Sequence, residues 1–136
     1  MDPLKSITAI AASGMRAQGE RLKVVAENVA NANSTGDSPG ADPYRRKTIS
    51  FAEMLDRESG SSMVEVDRIG RDKADFALLY DPAHPAADAQ GMVKMPNVNP
   101  ILEMSNMREA SRSYEANLNM YEAGRRMRSQ ILDLLR

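Results

Sequence analysis

The sequence predicts a mainly α chain with a small β-rich insert. Long N- and C-terminal helices are expected to form an antiparallel coiled coil, with a small β or irregular domain in the centre. Three observations carry this. Apolar residues recur at spacings of three and four near both ends of the 136-residue chain. The middle shows short apolar runs broken by Gly, Pro, Asn and Asp. With two Phe and no Trp the chain lacks the aromatic mass of a large β core, whereas its ten Met suit adaptable helical packing.

Residues 1–33 are expected to hold the first helix. Leu4, Thr8, Ala11, Met15, Gln18, Leu22, Val25 and Val29 form a heptad-like seam from residue 4 onward. Gly14 and Gly19 each cost roughly 1 kcal/mol against Ala inside a helix, so this helix needs a partner. Residues 34–99 are expected to form a junction followed by the small β-rich segment. "STGDSPGADP" is turn chemistry throughout, with Gly36 and Gly40 bracketing Asp37 and Pro39. Residues 44–55 suit either a strand or a short helix. Residues 63–69, 74–80 and 91–95 are three short runs of strand length.

Residues 100–136 are expected to hold the second helix. Asn99 supplies a capping side chain and Pro100 needs no N–H in the first turn. Met104, Met107, Ser111, Tyr114, Leu118, Tyr121, Met127, Ile131, Leu134 and Leu135 make an apolar band over about 50 Å. A basic cluster, Arg125, Arg126 and Arg128, sits late in it, where positive charge complements the helix dipole. A two-helix hairpin buries one stripe per helix and leaves the other apolar positions uncovered. Exposed apolar surface of that extent points to protein–protein contact. The chain therefore reads as an assembly subunit whose terminal helices pack with neighbours. A free-standing coiled-coil adaptor or scaffold is the alternative.

Asn28, Asn31 and Asn33, with Asn97, Asn99 and Asn106, cluster where each long helix meets the insert. Their side chains can end helices, or fix a junction between rod-like and compact parts. Asn117 and Asn119 lie inside the second helix, where one of them can pin register or simply face solvent.

Several functions are excluded. No Cys is present and His84 is the only histidine, so thiolate chemistry and zinc spacing are both missing. The Asp residues of the insert do not follow calcium-loop spacing. No catalytic, metal-binding or cofactor-binding residue is assigned, and no cofactor is expected. The formal charge of −1 gives no counterion-displacing face, so nucleic acid is not an expected partner. The N-terminal run "ITAIAA" is shorter than a signal-peptide core, and no stretch spans a membrane.

The segment "SGMRAQGERLKVVAENVANANSTG" followed by "YRRK", with the tail "PNVNPILEMSNMREASRSYEANLNM", resembles the end signatures of bacterial flagellar rod and hook proteins. The short insert, with "YDPAHPAADAQGMVKMPNVNP", looks like the proximal-rod branch of that family. The resemblance runs from about residue 6 to residue 135. It implies a structural, non-enzymatic subunit of the basal-body rod, where it crosses the periplasm. Such subunits polymerise through their terminal helices into a hollow, torque-transmitting shaft around the export channel. It also implies three kinds of partner: other copies, neighbouring rod proteins and the flagellar type III export apparatus. Export would proceed without a cleaved signal. Carried onto this sequence, it makes Met15, Leu22, Val25 and Val29 the N-terminal packing face and Asn28, Asn31 and Asn33 junction residues. Tyr114, Asn117, Leu118, Met127 and Ile131 would belong to the C-terminal face.

Overall fold

The computed structural model describes residues 2–136; Met1, within the expected N-terminal segment, lies outside the described residues. Helix α1 (Pro3–Ala30) is followed by strands β1 (Lys47–Asp56), β2 (Ser61–Arg71), β3 (Ala77–Tyr80) and β4 (Met92–Met95), and then by helix α2 (Pro100–Leu134). Both helices open on an acid or amide followed by proline. Asp2 Oδ1 accepts the N–H of Leu4 at 3.0 Å, and Asn99 Oδ1 accepts those of Ile101 and Leu102 at 3.1 and 3.4 Å. Residues 44–55, for which strand and helix were both open, extend into β1. The strands form two separate two-stranded sheets, β1–β2 and β3–β4.

The chain divides into two compact units. One takes in the chain up to Leu22, with Ile49–Arg68 and Arg108–Arg136; the other takes in Lys23–Thr48 and Ile69–Met107.

In the first unit the two helices approach through small residues. A Cβ placed on Gly14 would lie 2.6 Å from the Asn117 side chain, and one on Gly124 would lie 2.8 Å from the Thr8 methyl. The buried residues of α1 here are Ala11, Ser13, Gly14 and Ala17, and those of α2 are Ala110 and Gly124. Arg21 pairs with Glu109 at 3.3 Å. Ser13 Oγ donates to the carbonyl of Ile10 and accepts the N–H of Val64, which lays β2 against α1. Gly60, with a positive φ of 66°, closes the β1–β2 turn, where Asp56 accepts the Ser59 hydroxyl.

The expected long antiparallel coiled coil is not formed. The architecture is two terminal helices of 28 and 35 residues with two small antiparallel sheets between them. A coiled coil inserts large apolar knobs into holes, whereas the contact positions Ala110, Asn117 and Gly124, seven residues apart, carry no such knob. The apolar band read from the sequence at 104, 111 and 118 sits one residue later. From residue 125 onward every residue of α2 is exposed.

The Gly14 contact yields a prediction. Gly14→Ala is expected to lower stability by about 1 kcal/mol, the overpacking cost exceeding the gain in helix propensity. In the Asn117→Ala background the same change is expected to stabilise. Urea unfolding of the four proteins of this cycle tests the contact, and equal effects in both backgrounds would remove it.

In the second unit β3 pairs antiparallel with β4, from Ala77 opposite Met95 to Tyr80 opposite Met92. Val93 is fully buried beside this pairing and Ala86 nearly so. Gly91, at φ 78°, passes tightly behind the Tyr80 ring, where a Cβ would come within 2.9 Å. His84 occupies the connecting turn. Its Nδ1 accepts the N–H of Ala86 at 3.0 Å, so in the neutral ring Nε2–H is the donor toward Thr35 Oγ1 at 3.2 Å.

Candidate functional site

The second unit holds a buried polar cluster centred on Asn28. This residue is 0% exposed, and its amide uses its full bonding capacity. Nδ2 donates to the carbonyl of Lys47 at 2.9 Å and to Glu103 Oε2 at 3.3 Å. Oδ1 accepts the Tyr44 hydroxyl at 2.7 Å and the N–H of Lys47 at 2.8 Å. One side chain on α1 thus holds both the chain entering β1 and the first turn of α2.

Glu103 is 1% exposed. Its Oε1 pairs with the Arg46 guanidinium, which also reaches Asp72 Oδ2 at 3.5 Å. A carboxylate in the first turn of α2 is further favoured by the positive end of the helix dipole. Asn97 completes the cluster. Its Oδ1 accepts the N–H of Arg46 at 2.8 Å, and its Nδ2 donates to the carbonyls of Asp72 and Ala74 at 3.1 Å each. Arg45 donates to the same two carbonyls while its guanidinium lies 4.2 Å from the centre of the Phe76 ring.

At the cluster's edge Lys47 Nζ meets Glu27 at 2.6 Å. Its hydrogen bond holds the Glu27 carboxyl below its ordinary pKa, assisted by the charges of Lys47, Lys23 and Arg71 and opposed by desolvation. That contribution is complete above the unfolded-state pKa and is lost as pH falls through the lower folded value.

The other junction residues act locally. Asn31 Nδ2 donates to the carbonyl of Glu27 at 2.8 Å while Oδ1 accepts the Ser34 hydroxyl, which ends α1. Gly36 passes against Ala41, where a Cβ would be 2.5 Å from the alanine methyl. Asn99 caps α2. Asn33 is exposed.

The packing candidates separate by burial. Val25 is buried; Met15, Leu22, Val29, Met107, Tyr114, Leu118 and Tyr121 are partly covered; Met127, Ile131 and Leu134 are exposed. Met15, Tyr114 and Tyr121 come together with Ala12, Arg16 and Gly19 as the walls of an open groove of about 530 Å³. Apart from its chain neighbours and the adjacent helix backbone, no described atom lies within 4 Å of where a Gly19 Cβ would stand, so the groove is open at Gly19.

The groove, and Asn28, Asn97 and Glu103 of the buried cluster, lie in two stretches that family models match. A family model described as "Flagella basal body rod protein" matches residues 9–36, and one described as "Flagellar basal body rod FlgEFG protein C-terminal" matches residues 89–134. The protein named flagellar basal-body rod protein FlgC in Agrobacterium fabrum is 54% identical over 136 residues, covering 100% of this chain and 98% of that one. Its namesake in Escherichia coli O157:H7 is 40% identical over 131 residues, covering 96% and 97%. That of Bacillus subtilis is 37% identical over 140 residues, covering 92% and 93%. The chain belongs to the FlgC family of flagellar basal-body rod proteins. It is a structural subunit of the rod, and it assembles there with other rod proteins. Among the described residues no helix is long and apolar enough to cross a membrane.

Sequence reasoning missed Glu103, Arg46 and Tyr44 as parts of this rod subunit's junction. In "PILEM" the apolar residues drew the eye. Yet Ile101 is 79% exposed and Leu102 60%, while the acid between Leu102 and Met104 is buried. One signal was available: Glu103 follows the capping Asn99 by four residues, which places both on one side of the first turn.

Proposed function

We propose that this rod subunit assembles by seating a neighbour's helix in the groove between Met15, Gly19, Tyr114 and Tyr121, and by burying its own exposed end of α2 on another neighbour. Met127, Ile131, Leu132, Leu134 and Leu135 are all exposed there, Leu134 at 83%. Burying each such side chain contributes roughly 1.5–3 kcal/mol, so many shared contacts can offset the ordering of the helical ends. In this reading residues 1–33 and 100–136 carry assembly surfaces, and residues 34–99 supply the junction and the small β-rich segment. The polymer forms the wall of a hollow shaft that bears torque and encloses an export channel. The flagellar export apparatus is the chain's route to the rod.

The role is structural and not enzymatic. His84, the single histidine, is engaged at Nδ1 by Ala86 of its own turn and at Nε2 by Thr35 of the segment after α1, which supports that reading.

The observation that carries the proposal is the open floor at Gly19, and the test follows from it. The Cβ of Gly19→Leu meets no described atom within 4 Å outside its own stretch of helix, the rest of the side chain enters the open groove, and helix propensity improves by up to about 1 kcal/mol. The variant is expected to unfold at the same or higher urea concentration, yet to be missing from isolated basal bodies and to abolish swimming. Normal rods and normal swimming would overturn the groove as an assembly site.

A further inference from the structure

A second pocket, of about 400 Å³, opens between α1 and the β1–β2 hairpin. Gln18 lines it, and among the described residues its Oε1 is buried without a hydrogen-bond donor. A buried acceptor left unmade is costly, and a native structure holds few of them. Glu53 also lines the pocket, with its Oε1 accepting the Ser62 hydroxyl. Ile10, Phe51 and Met63 supply apolar walls, and no Lys or Arg is among the described lining residues. The site thus offers an amide oxygen and a carboxylate across a greasy channel, and its chemistry asks for a cation on a long apolar stem.

The exposed end of α2 presents such groups. Arg125, Arg126 and Arg128 are exposed and, among the described residues, take part in no ion pair. None lies in the last turn of the helix, so the dipole, whose influence fades within a turn, gives them little to interact with. Among the described residues these charges are unpaired and Gln18 Oε1 lacks a donor, while Glu53 accepts only the Ser62 hydroxyl; charge and acceptors match.

We propose that an arginine from the 125–128 cluster of a second copy of this chain fills the Gln18 pocket. Its stem lies along Ile10, Phe51 and Met63, and its forked guanidinium donates to both Gln18 Oε1 and Glu53. This rests on the assembly reading above and names a partner and a contact for it. The pairing joins two different surfaces, pocket to tail. Such heterologous contacts propagate into rings or open helices and do not close as a two-fold dimer.

The chain's lack of cysteine makes the test clean. Ser62→Cys at the pocket rim and Ser129→Cys beside the arginines are conservative changes at exposed positions. Basal bodies isolated from cells carrying both changes, treated with a short thiol-to-thiol crosslinker, are expected to yield a species of twice the chain mass. Neither single variant is expected to give it, because a heterologous contact brings no residue next to its own copy. A doubled species from one single variant, a product with a different rod protein, or no product at all would overturn the pairing. If Gly19→Leu blocks incorporation while the paired cysteines give no such species, the assembly reading stands and this contact falls. If Gly19→Leu rods are normal, the groove reading falls, and the crosslink still decides this contact.

Discussion

Asn28→Leu is expected to destabilise the folded chain by about 3–5 kcal/mol in urea unfolding, a large share of a small protein's stability. Leucine has the same branching as asparagine and is larger, so no cavity opens. What is lost is the set of partners. The Tyr44 hydroxyl, the N–H and carbonyl of Lys47, and Glu103 Oε2 each lose a bond to a side chain that is fully buried. A single such orphan costs roughly 1–3 kcal/mol, so several together set the magnitude.

Asn28→Asp sharpens the argument, because it exchanges only the donor end. Its carboxylate still accepts from Tyr44 and Lys47 but now faces the Lys47 carbonyl and the Glu103 carboxylate without a proton to give. It is expected to be about as damaging as leucine at neutral pH. The folded state raises the pKa of this carboxyl, so its penalty shrinks as pH falls, when the protonated acid can donate again. The leucine variant, measured at the same pH values, subtracts the effect of acid on the rest of the chain. A loss under 1 kcal/mol from leucine, or an aspartate penalty that does not narrow on acidification, would remove Asn28 as the organiser of the junction.

The second large effect concerns the buried ion pair. Glu103→Ala is expected to cost about 3 kcal/mol, near the lower end for breaking a buried pair. The reason for the lower end is geometric: the Arg46 side chain is 27% exposed and keeps Asp72 within 3.5 Å, so its charge is not stranded. Replacing both partners, Arg46→Met with Glu103→Leu, is expected to recover more than half of that loss, because the desolvation of both ions disappears along with their attraction. Asn28 Nδ2 retains the Lys47 carbonyl in the double variant. If the double variant were less stable than Glu103→Ala, the pair would be contributing through something other than charge.

These two sites show where sequence reading failed and why. Long terminal helices, the Asn99–Pro100 start, the turn chemistry after α1 and the three short apolar runs are local properties. They follow from spacing, capping and turn preferences over a few residues, and they were legible. The helix contact was not. Hydropathy patterns weigh large apolar side chains, so Met104, Ser111 and Leu118 drew the seam one residue past Glu103, Ala110 and Asn117. Close approach of two helices selects for the smallness of Gly14 and Gly124, which scores as a weakness in any single helix. Asn117 was open between pinning register and facing solvent until its contact with Gly14 placed it.

By itself the sequence determined the two long terminal helices, the turn chemistry after α1, the short apolar runs of the middle and, through its two end signatures, membership of the rod protein family. Only the tertiary structure decided which residues face each other. It turned Glu103 inward and Ile101 outward, joined Asn28 to Tyr44, Lys47 and Glu103, and left Gly19 as an open floor while Gly14 closed on Asn117. The reason is physical. Local preferences act over a few neighbours along the chain, whereas the burial of a charge or the use of a glycine depends on partners far along it, 103 positions apart for Gly14 and Asn117 and 116 for Thr8 and Gly124.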